Sequence, residues 1–368
     1  MEQPDIIVLF SGGLDSILTA LLLREQGLGV RCLHCHTPFF GDPQSLPRWR
    51  RAYGLDIESL DLGEDFVRML KERPEHGFGK HMNPCVDCKI LLLRRARLYM
   101  ESVGARGLAT GEVLGQRPMS QRRDVLNVIL REAGVRGLLL RPLSAKCLDP
   151  TPLEESGLVD RERLMGISGR GRHEQMALAR HFGLTDIPTP AGGCLLTERE
   201  NTRRYWPVLT RRANPTVDDF RLADLGRQFW RRSDGRDYWL VVGRNRADNQ
   251  RIETARRERD LLLAFPGVPG PLLLAREGED WPKELLIEAG CLGISYAGKA
   301  ASRSAPVTMR CTGGGTPLFL PVRPERNGLW AVPAWDDVHE ELREEARQRM
   351  QAQKKTKAAV QSMTRDAD

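Results

Sequence analysis

The stretch that most constrains this chain is Asp5 to Leu23, DIIVLFSGGLDSILTALLL. Ile6 to Phe10 form an apolar run of strand length, Ser11 to Ser16 form a turn rich in small residues, and the apolar segment behind it is long enough for a helix. A strand, glycine turn and helix in that order aim backbone N–H groups and a positive helix terminus at an anion. Gly12 and Gly13 let the backbone approach a phosphate, and Ser11 and Ser16 add hydroxyl donors. Asp15 would repel such a ligand unless it binds Mg²⁺ or a reacting group. The competing reading, a turn in which small residues merely pack, suits an isolated Gly-Gly better than SGGxDS directly behind an apolar strand. No GK[ST] follows, so this is not a Walker loop.

With 368 residues the chain is long enough for two domains, and 40% hydrophobic with 29% charged residues is the composition of a soluble globular protein. No apolar run approaches the ~20 residues of a membrane span. The start, MEQPD, has no basic region before its apolar run, so a secretion signal is not expected. Eight cysteines in this length do not make a disulfide scaffold. Together these point to a cytoplasmic protein.

Downstream, Gly29–His36 reads as a second strand, in which Cys32 and Cys35 point to opposite faces and pack. In a doubly wound sheet the end of that strand meets a nucleotide, which makes His34 and Thr37 nucleotide-site candidates. A helix over Gln44–Tyr53, a strand over Ile57–Leu62, a polar helix or loop from Glu64 to Lys71 and a mobile-looking loop over Pro74–Met82 follow. Asn83 suits an N-cap and Pro84 the first helical position, so Cys85 and Cys88 share one face in the first turn of a helix, where the dipole lowers a thiol pKa. Arg106–Thr110 is a strand, and Gly111 to Gln121 a loop at the same sheet edge as SGGLDS, with Gly111 and Gln116 suited to ATP or a target base. A helix over Arg122–Ala133, a strand over Leu138–Leu143, a short helix over Pro152–Ser156, the basic segment Ser168–His173 and a helix over Glu174–Phe182 complete the pattern. Strands alternating with helices imply an α/β domain, a parallel sheet with helices on both faces.

A lone C-x-x-C can serve zinc, redox chemistry, an iron–sulfur cluster or nothing. A structural zinc site wants four ligands, and no second C-x-x-C lies near. Cys194, in a glycine-rich turn, completes a set of three thiols that can hold a [4Fe–4S] cluster with one iron free.

Over Asp5–Thr197 the chain resembles the tRNA thiolation branch of the ATP-pyrophosphatases, the 4-thiouridine synthetases and 2-thiouridylases. The motifs are SGGLDS (Ser11–Ser16), NPCVDC (Asn83–Cys88), ATGEVLGQRPMSQ (Ala109–Gln121), RPLSAK (Arg141–Lys146) and TPAGGCLLT (Thr189–Thr197). The resemblance implies a doubly wound sheet of the adenine nucleotide alpha-hydrolase type. It implies ATP and Mg²⁺ bound by Ser11, Gly12, Gly13, Asp15 and Ser16, and adenylation of a uridine carbonyl oxygen. Sulfur held on a cluster ligated by Cys85, Cys88 and Cys194 then displaces AMP. A persulfide–disulfide pair of Cys88 and Cys194 is the alternative. Lys89, Arg94 and Arg95 are the basic residues available to stabilise developing charge. The implied partners are tRNA or another RNA and a sulfur donor (sulfide or a cysteine desulfurase), with no membrane; homodimerisation stays open.

The 4-thiouridine synthetases usually carry an RNA-binding domain ahead of the loop, so here RNA contact is expected of the second half. Net charge is +7, and Arg199–Asp260 holds 16 Arg and no Lys against 10 acidic residues, interleaved with Tyr205, Trp206, Phe229, Trp230, Tyr238 and Trp239. Arg with aromatics suits RNA; a solvated basic face over an ordinary core is the competing reading. The expected division is a catalytic domain over 1–200, a smaller α+β RNA-binding domain over 214–332 and a charged helix or tail over 336–368. Asp237–Asn249 is similar to a domain of ribosome quality-control factors. Cys311, before a run of glycines, is expected to be structural. Two other activities remain open: a ligase or amidotransferase of the same superfamily or a zinc-containing deazapurine-nitrile synthase, and a non-catalytic nucleotide-binding RNA adaptor.

Overall fold

A computed structural model describes residues 3–188, 193–298 and 305–365, with side chains to residue 352. The chain forms two units, Met1–Thr197 and Glu198–Asp368.

The first unit runs β1 (Ile6–Leu9), α1 (Leu14–Glu25), β2 (Val30–His36), α2 (Leu46–Tyr53), β3 (Asp56–Asp61), α3 (Gly63–Glu72), α4 (Cys85–Val103), β4 (Gly107–Thr110), α5 (Arg123–Glu132), β5 (Leu139–Leu140), α6 (Pro152–Glu155) and α7 (His173–His181). Its five strands are parallel in the order β3-β2-β1-β4-β5. Alternation along each strand feeds two cores. Ile6, Val8, Cys32 and Ala109 pack with residues of α1 and α7 on one side, and Ile7, Leu33, Cys35 and Leu108 with α4 and α5 on the other. The doubly wound α/β expectation holds, and Cys32 and Cys35 fall into opposite cores. Burial pushes both thiols up, Cys35 to about 12, which leaves them unreactive packing residues.

The second unit runs α8 (Arg199–Arg211), α9 (Val217–Ala223), β6 (Arg227–Ser233), β7 (Arg236–Val242), α10 (Arg246–Thr254), β8 (Leu261–Ala264), β9 (Leu273–Ala275), α11 (Lys283–Ile294), β10 (Val307–Thr312), β11 (Leu318–Val322) and α12 (Trp335–Arg365). Its sheet, β11-β10-β8-β9-β7-β6, is antiparallel at every pairing. The aromatics of the arginine-rich stretch, Phe220 with the six named above, are all buried: Trp230 and Trp239 stack 5.1 Å apart, and Trp206 donates to Glu341 Oε2 (2.7 Å). They form core rather than a base-stacking surface. The segment after Asp336 is helical, and Val338 and Leu342 are buried where α12 meets α8. Cys311 is buried, its thiol pushed up to about 11 by desolvation, as befits a structural residue. Among the described residues, no helix is long and apolar enough to cross a membrane.

Arg276 ties this unit together. It is 2% exposed, and its guanidinium meets Asp260 (2.5 Å) and Asp219 (3.2 Å), both buried, over the Trp239 ring (5.7 Å). Removing one member of a buried ion network strands the others without counter-charge. Arg276→Ala is therefore expected to cost about 3–5 kcal/mol, read by urea denaturation followed through tryptophan fluorescence; a loss under ~1 kcal/mol, the value of an exposed pair, would contradict this role.

Candidate nucleotide and thiol site

The turn between β1 and α1 is braced by its own hydroxyls. Ser16 Oγ donates to Gly13 O (2.8 Å) and accepts from Ser11 N (3.3 Å), and Gly13 N donates to Ser11 Oγ (3.3 Å). Gly13 caps α1 with no side-chain bond, leaving first-turn N–H groups for a ligand. Gly12 has φ +77°, and a Cβ there would lie 2.3 Å from the Trp49 ring, so no other residue fits.

Asp15 lies where this turn meets the loop after β4. Gln116 Nε2 donates to Asp15 Oδ2 (3.2 Å), while Oδ1 is buried and, among the described residues, has no hydrogen-bond partner. Gly111 makes the approach close enough: a Cβ there would lie 2.5 Å from the carbonyl carbon of Asp15. Burial pushes the Asp15 carboxyl above its ordinary range, against the pull of Gln116, Arg172, Gln175 and Arg117. Gln175 is fully buried, its amide near enough to the Asp15 carboxyl to pull on it while making, among the described residues, no well-aligned hydrogen bond. A carboxylate raised by burial, with one oxygen unsatisfied, has the chemistry of a cation ligand.

Arg117, Arg172 and Gln175 were not singled out from the sequence. The basic segment Ser168–His173 was visible, but its place depends on long-range pairing: Gly169 N donates to Leu114 O (2.7 Å), beside a parallel bridge between Leu114 and Ser168.

The cysteines lie at the start of α4 and just before residue 195. Helix α4 begins one residue later than expected, with Pro84 as its cap and Cys85 as its first residue. Asn83 does not cap it; its amide donates to Cys85 Sγ (3.1 Å). Asp87 instead accepts from Glu75 N (2.7 Å) and His76 N (3.0 Å), fastening the preceding loop to the helix. Leu195 N donates to Phe39 O (2.8 Å), which ties the Cys194 segment to the loop after β2. Thr189–Gly192 of the glycine-rich turn lie outside the described residues. Burial raises the Cys88 thiol strongly, and Cys194, Cys85 and Cys35 raise it further against the opposing charge of Lys89. The lowering expected from the helix dipole is thus outweighed.

Lys89, next in the chain, reaches Glu112 Oε1 (3.5 Å), and Arg141 Nε meets Glu112 Oε2 (3.1 Å). Glu112 is 3% exposed. Burial pushes its carboxyl up, but Lys89 and Arg141 together hold it below its ordinary range. This ion cluster joins the thiol helix to the loop after β4.

Four expected site residues are used elsewhere. His34 Nδ1 bonds Phe10 O (2.9 Å) and its Nε2 accepts from Asp42 N (3.0 Å), so both ring nitrogens brace the strand ends. Thr37 Oγ1 accepts from Phe39 N (3.1 Å) and shapes a turn. Arg94 points to the end of α5, donating twice to Glu132 O (3.1 and 2.9 Å), and Arg95 pairs with Asp65 (2.5 Å) on α3. Lys89 alone of the three basic candidates stands beside the thiols. Among the described residues, no group of three or more His, Cys, Asp or Glu side chains is close enough to hold a metal ion.

Residues 1–147 match the family model described as "Thiamine biosynthesis protein (ThiI)". The chain is 28% identical over 219 residues to a "Probable tRNA sulfurtransferase" of Methanosarcina acetivorans, covering 56% of this chain and 45% of that protein. It is 28% identical over 126 residues to a protein of the same name from Thermococcus kodakarensis, covering 31% of each. It is 34% identical over 127 residues to the "tRNA-specific 2-thiouridylase MnmA" of Nitratidesulfovibrio vulgaris, covering 30% of this chain and 35% of that one. The chain thus spans less than half the length of each of these relatives.

Because the folded environment raises the Asp15 pKa, its ionised form at neutral pH is a cost of folding that grows as pH rises through the raised value. Asp15→Asn removes that cost. Without nucleotide, the variant is expected to melt a few degrees above the parent at pH 7, where roughly 2–4 °C corresponds to each kcal/mol, and to lose this advantage at pH 4. A lower Tm at pH 7 would contradict the reading.

Proposed function

We propose that this chain thiolates a uridine of tRNA at the expense of ATP, and that it works in the cytoplasm. The observation that carries the reading is the Asp15 constellation: an intact SGGLDS loop, a buried carboxylate oxygen without a partner, and two guanidinium groups close by, in a segment matched by the ThiI family model. The names of the relatives, tRNA sulfurtransferase and 2-thiouridylase, support tRNA as substrate.

A base carbonyl is a weak electrophile with a poor leaving group, and transferring AMP to its oxygen makes that oxygen expellable. The loop N–H groups and Ser11 and Ser16 would bind the nucleotide phosphates, and Asp15 the Mg²⁺ that accompanies them. Arg117 and Arg172 would balance charge on the departing pyrophosphate. A sulfur nucleophile then adds to the activated carbon, the C–O bond breaks and AMP leaves with the oxygen.

Cys85, Cys88 and Cys194 are soft donors, and burial together with the neighbouring Cys194 and Cys85 disfavours the Cys88 thiolate, a cost that a bound cation reverses. They suit a [4Fe–4S] cluster, which when bound supplies an iron open to exogenous sulfur. The chain's part would be to hold the three thiolates and, through Lys89, to oppose negative charge beside them. A cysteine desulfurase or free sulfide would be the sulfur source.

Anaerobically purified protein is expected to carry about four irons and four sulfides, the content of one such cluster, and to form thiouridine in tRNA with ATP, detected by mass spectrometry of nucleosides. Cys194→Ala should lose both. One zinc and no iron would overturn the cluster, and ATP turnover without thionucleoside would overturn the reaction.

A further inference from the structure

With the aromatics of the arginine-rich stretch buried, that stretch would meet an anionic partner through guanidinium groups, and many of these are already neutralised. Arg232 pairs with Asp237 (2.7 Å), Arg257 with Asp218 (3.0 Å) and Arg259 with Asp280. One run of cations is different. Arg204 on α8 donates to Ala223 O (2.8 Å) and Gly226 O (3.3 Å). Arg227, the next residue and the first of β6, reaches Gly243 O (3.4 Å) and lies 4.6 Å from the centre of the Tyr296 ring. Arg326 lies 4.1 Å from the same ring and donates to Ser295 Oγ (3.0 Å).

Arg244 follows Gly243 and pairs with Asp248 (2.5 Å), yet its charge and that of Arg203 still depress the Arg204 guanidinium, after desolvation the largest causes. Arg251, exposed on α10, acts with Arg204 on the half-buried Asp224, whose carboxyl also accepts from Tyr205 Oη. Among the described residues, Arg204, Arg227, Arg251 and Arg326 have no carboxylate within ion-pair distance. The guanidiniums of Arg204, Arg227 and Arg326 are held instead by carbonyl groups, a hydroxyl and a ring, which fix position without a carboxylate in ion-pair contact. None of the residues in the run is an exposed large apolar side chain, which a membrane-seated face requires.

We propose that the run Arg204–Arg227–Tyr296–Arg326, flanked by Arg251, is the surface through which this chain grips the phosphate backbone of RNA. Fixed guanidiniums suit phosphate oxygens and supply position rather than sequence. The proposal rests on the reading that the substrate is tRNA, and adds where the second unit holds it.

The test is fluorescence anisotropy of the full chain with fluorescein-labelled tRNA, without ATP, between about 50 and 200 mM salt. The double variant Arg227→Gln/Arg326→Gln is expected to bind about tenfold more weakly, with the log–log salt slope reduced by about 1–2, one unit or slightly less for each phosphate that is no longer neutralised. Arg232→Gln/Arg259→Gln, which removes cations already paired, should change neither. Thermal melting checks that each variant folds; if the double variant does not, Arg251→Gln is measured in its place and should lower the slope by about 1. Unchanged affinity and slope in a folded variant would overturn the surface while leaving tRNA as substrate. Failure of the parent chain to bind tRNA, or its displacement from tRNA by phosphatidylserine vesicles, would overturn the surface, the former removing the substrate reading as well.

Discussion

The candidate site depends on β1 pairing in parallel with β2 on one side and β4 on the other. That is where the strand order reverses, the place where sheets of this kind take ligands at the carboxyl ends of their strands. The loop after β1 supplies Ser11 to Ser16 and the loop after β4 Gly111 to Gln121, and they meet because Gly111 has no side chain to hold Asp15 away. The helix that carries Cys85 and Cys88 joins the same edge through the Lys89–Glu112–Arg141 cluster. The helix of Cys85 and Cys88 and the loop that meets Asp15 are therefore joined through the buried Glu112 carboxylate.

The second unit uses charge differently. Arg276 with Asp219 and Asp260 is sealed inside and holds helices to sheet, whereas the Arg204–Arg227–Arg326 run is anchored by neutral groups, with no carboxylate in ion-pair contact among the described residues. Both are made of arginine, and partners rather than residue type separate them.

Much of the first unit was legible because its signals are local. A five-residue apolar run, a glycine turn and a helix specify the loop, and residues three apart on a strand specify that Cys32 and Cys35 part company. Where tertiary contact decides, the sequence misled. His34 and Thr37 sit at the right strand end but spend their polar atoms on backbone. Arg94 is near Cys88 in sequence but faces α5. Arg117, Arg172 and Gln175 come to Asp15 through the bridge between Leu114 and Ser168, which no local pattern announces. In the second unit, the aromatics between the arginines are buried on both faces of β6 and β7 and on α8, so the pattern that suggested base stacking reports a core.

Carbonyl adenylation makes one demand that neither phosphate hydrolysis nor a passive nucleotide clamp shares: the oxygen lost from the base must leave on AMP. The most direct measurement is mass spectrometry of AMP formed from tRNA whose uridine carbonyls carry ¹⁸O. One labelled oxygen in AMP for each thiouridine made is expected. Unlabelled AMP alongside thiouridine would show that sulfur enters by another route and would contradict the role assigned to the Asp15 site.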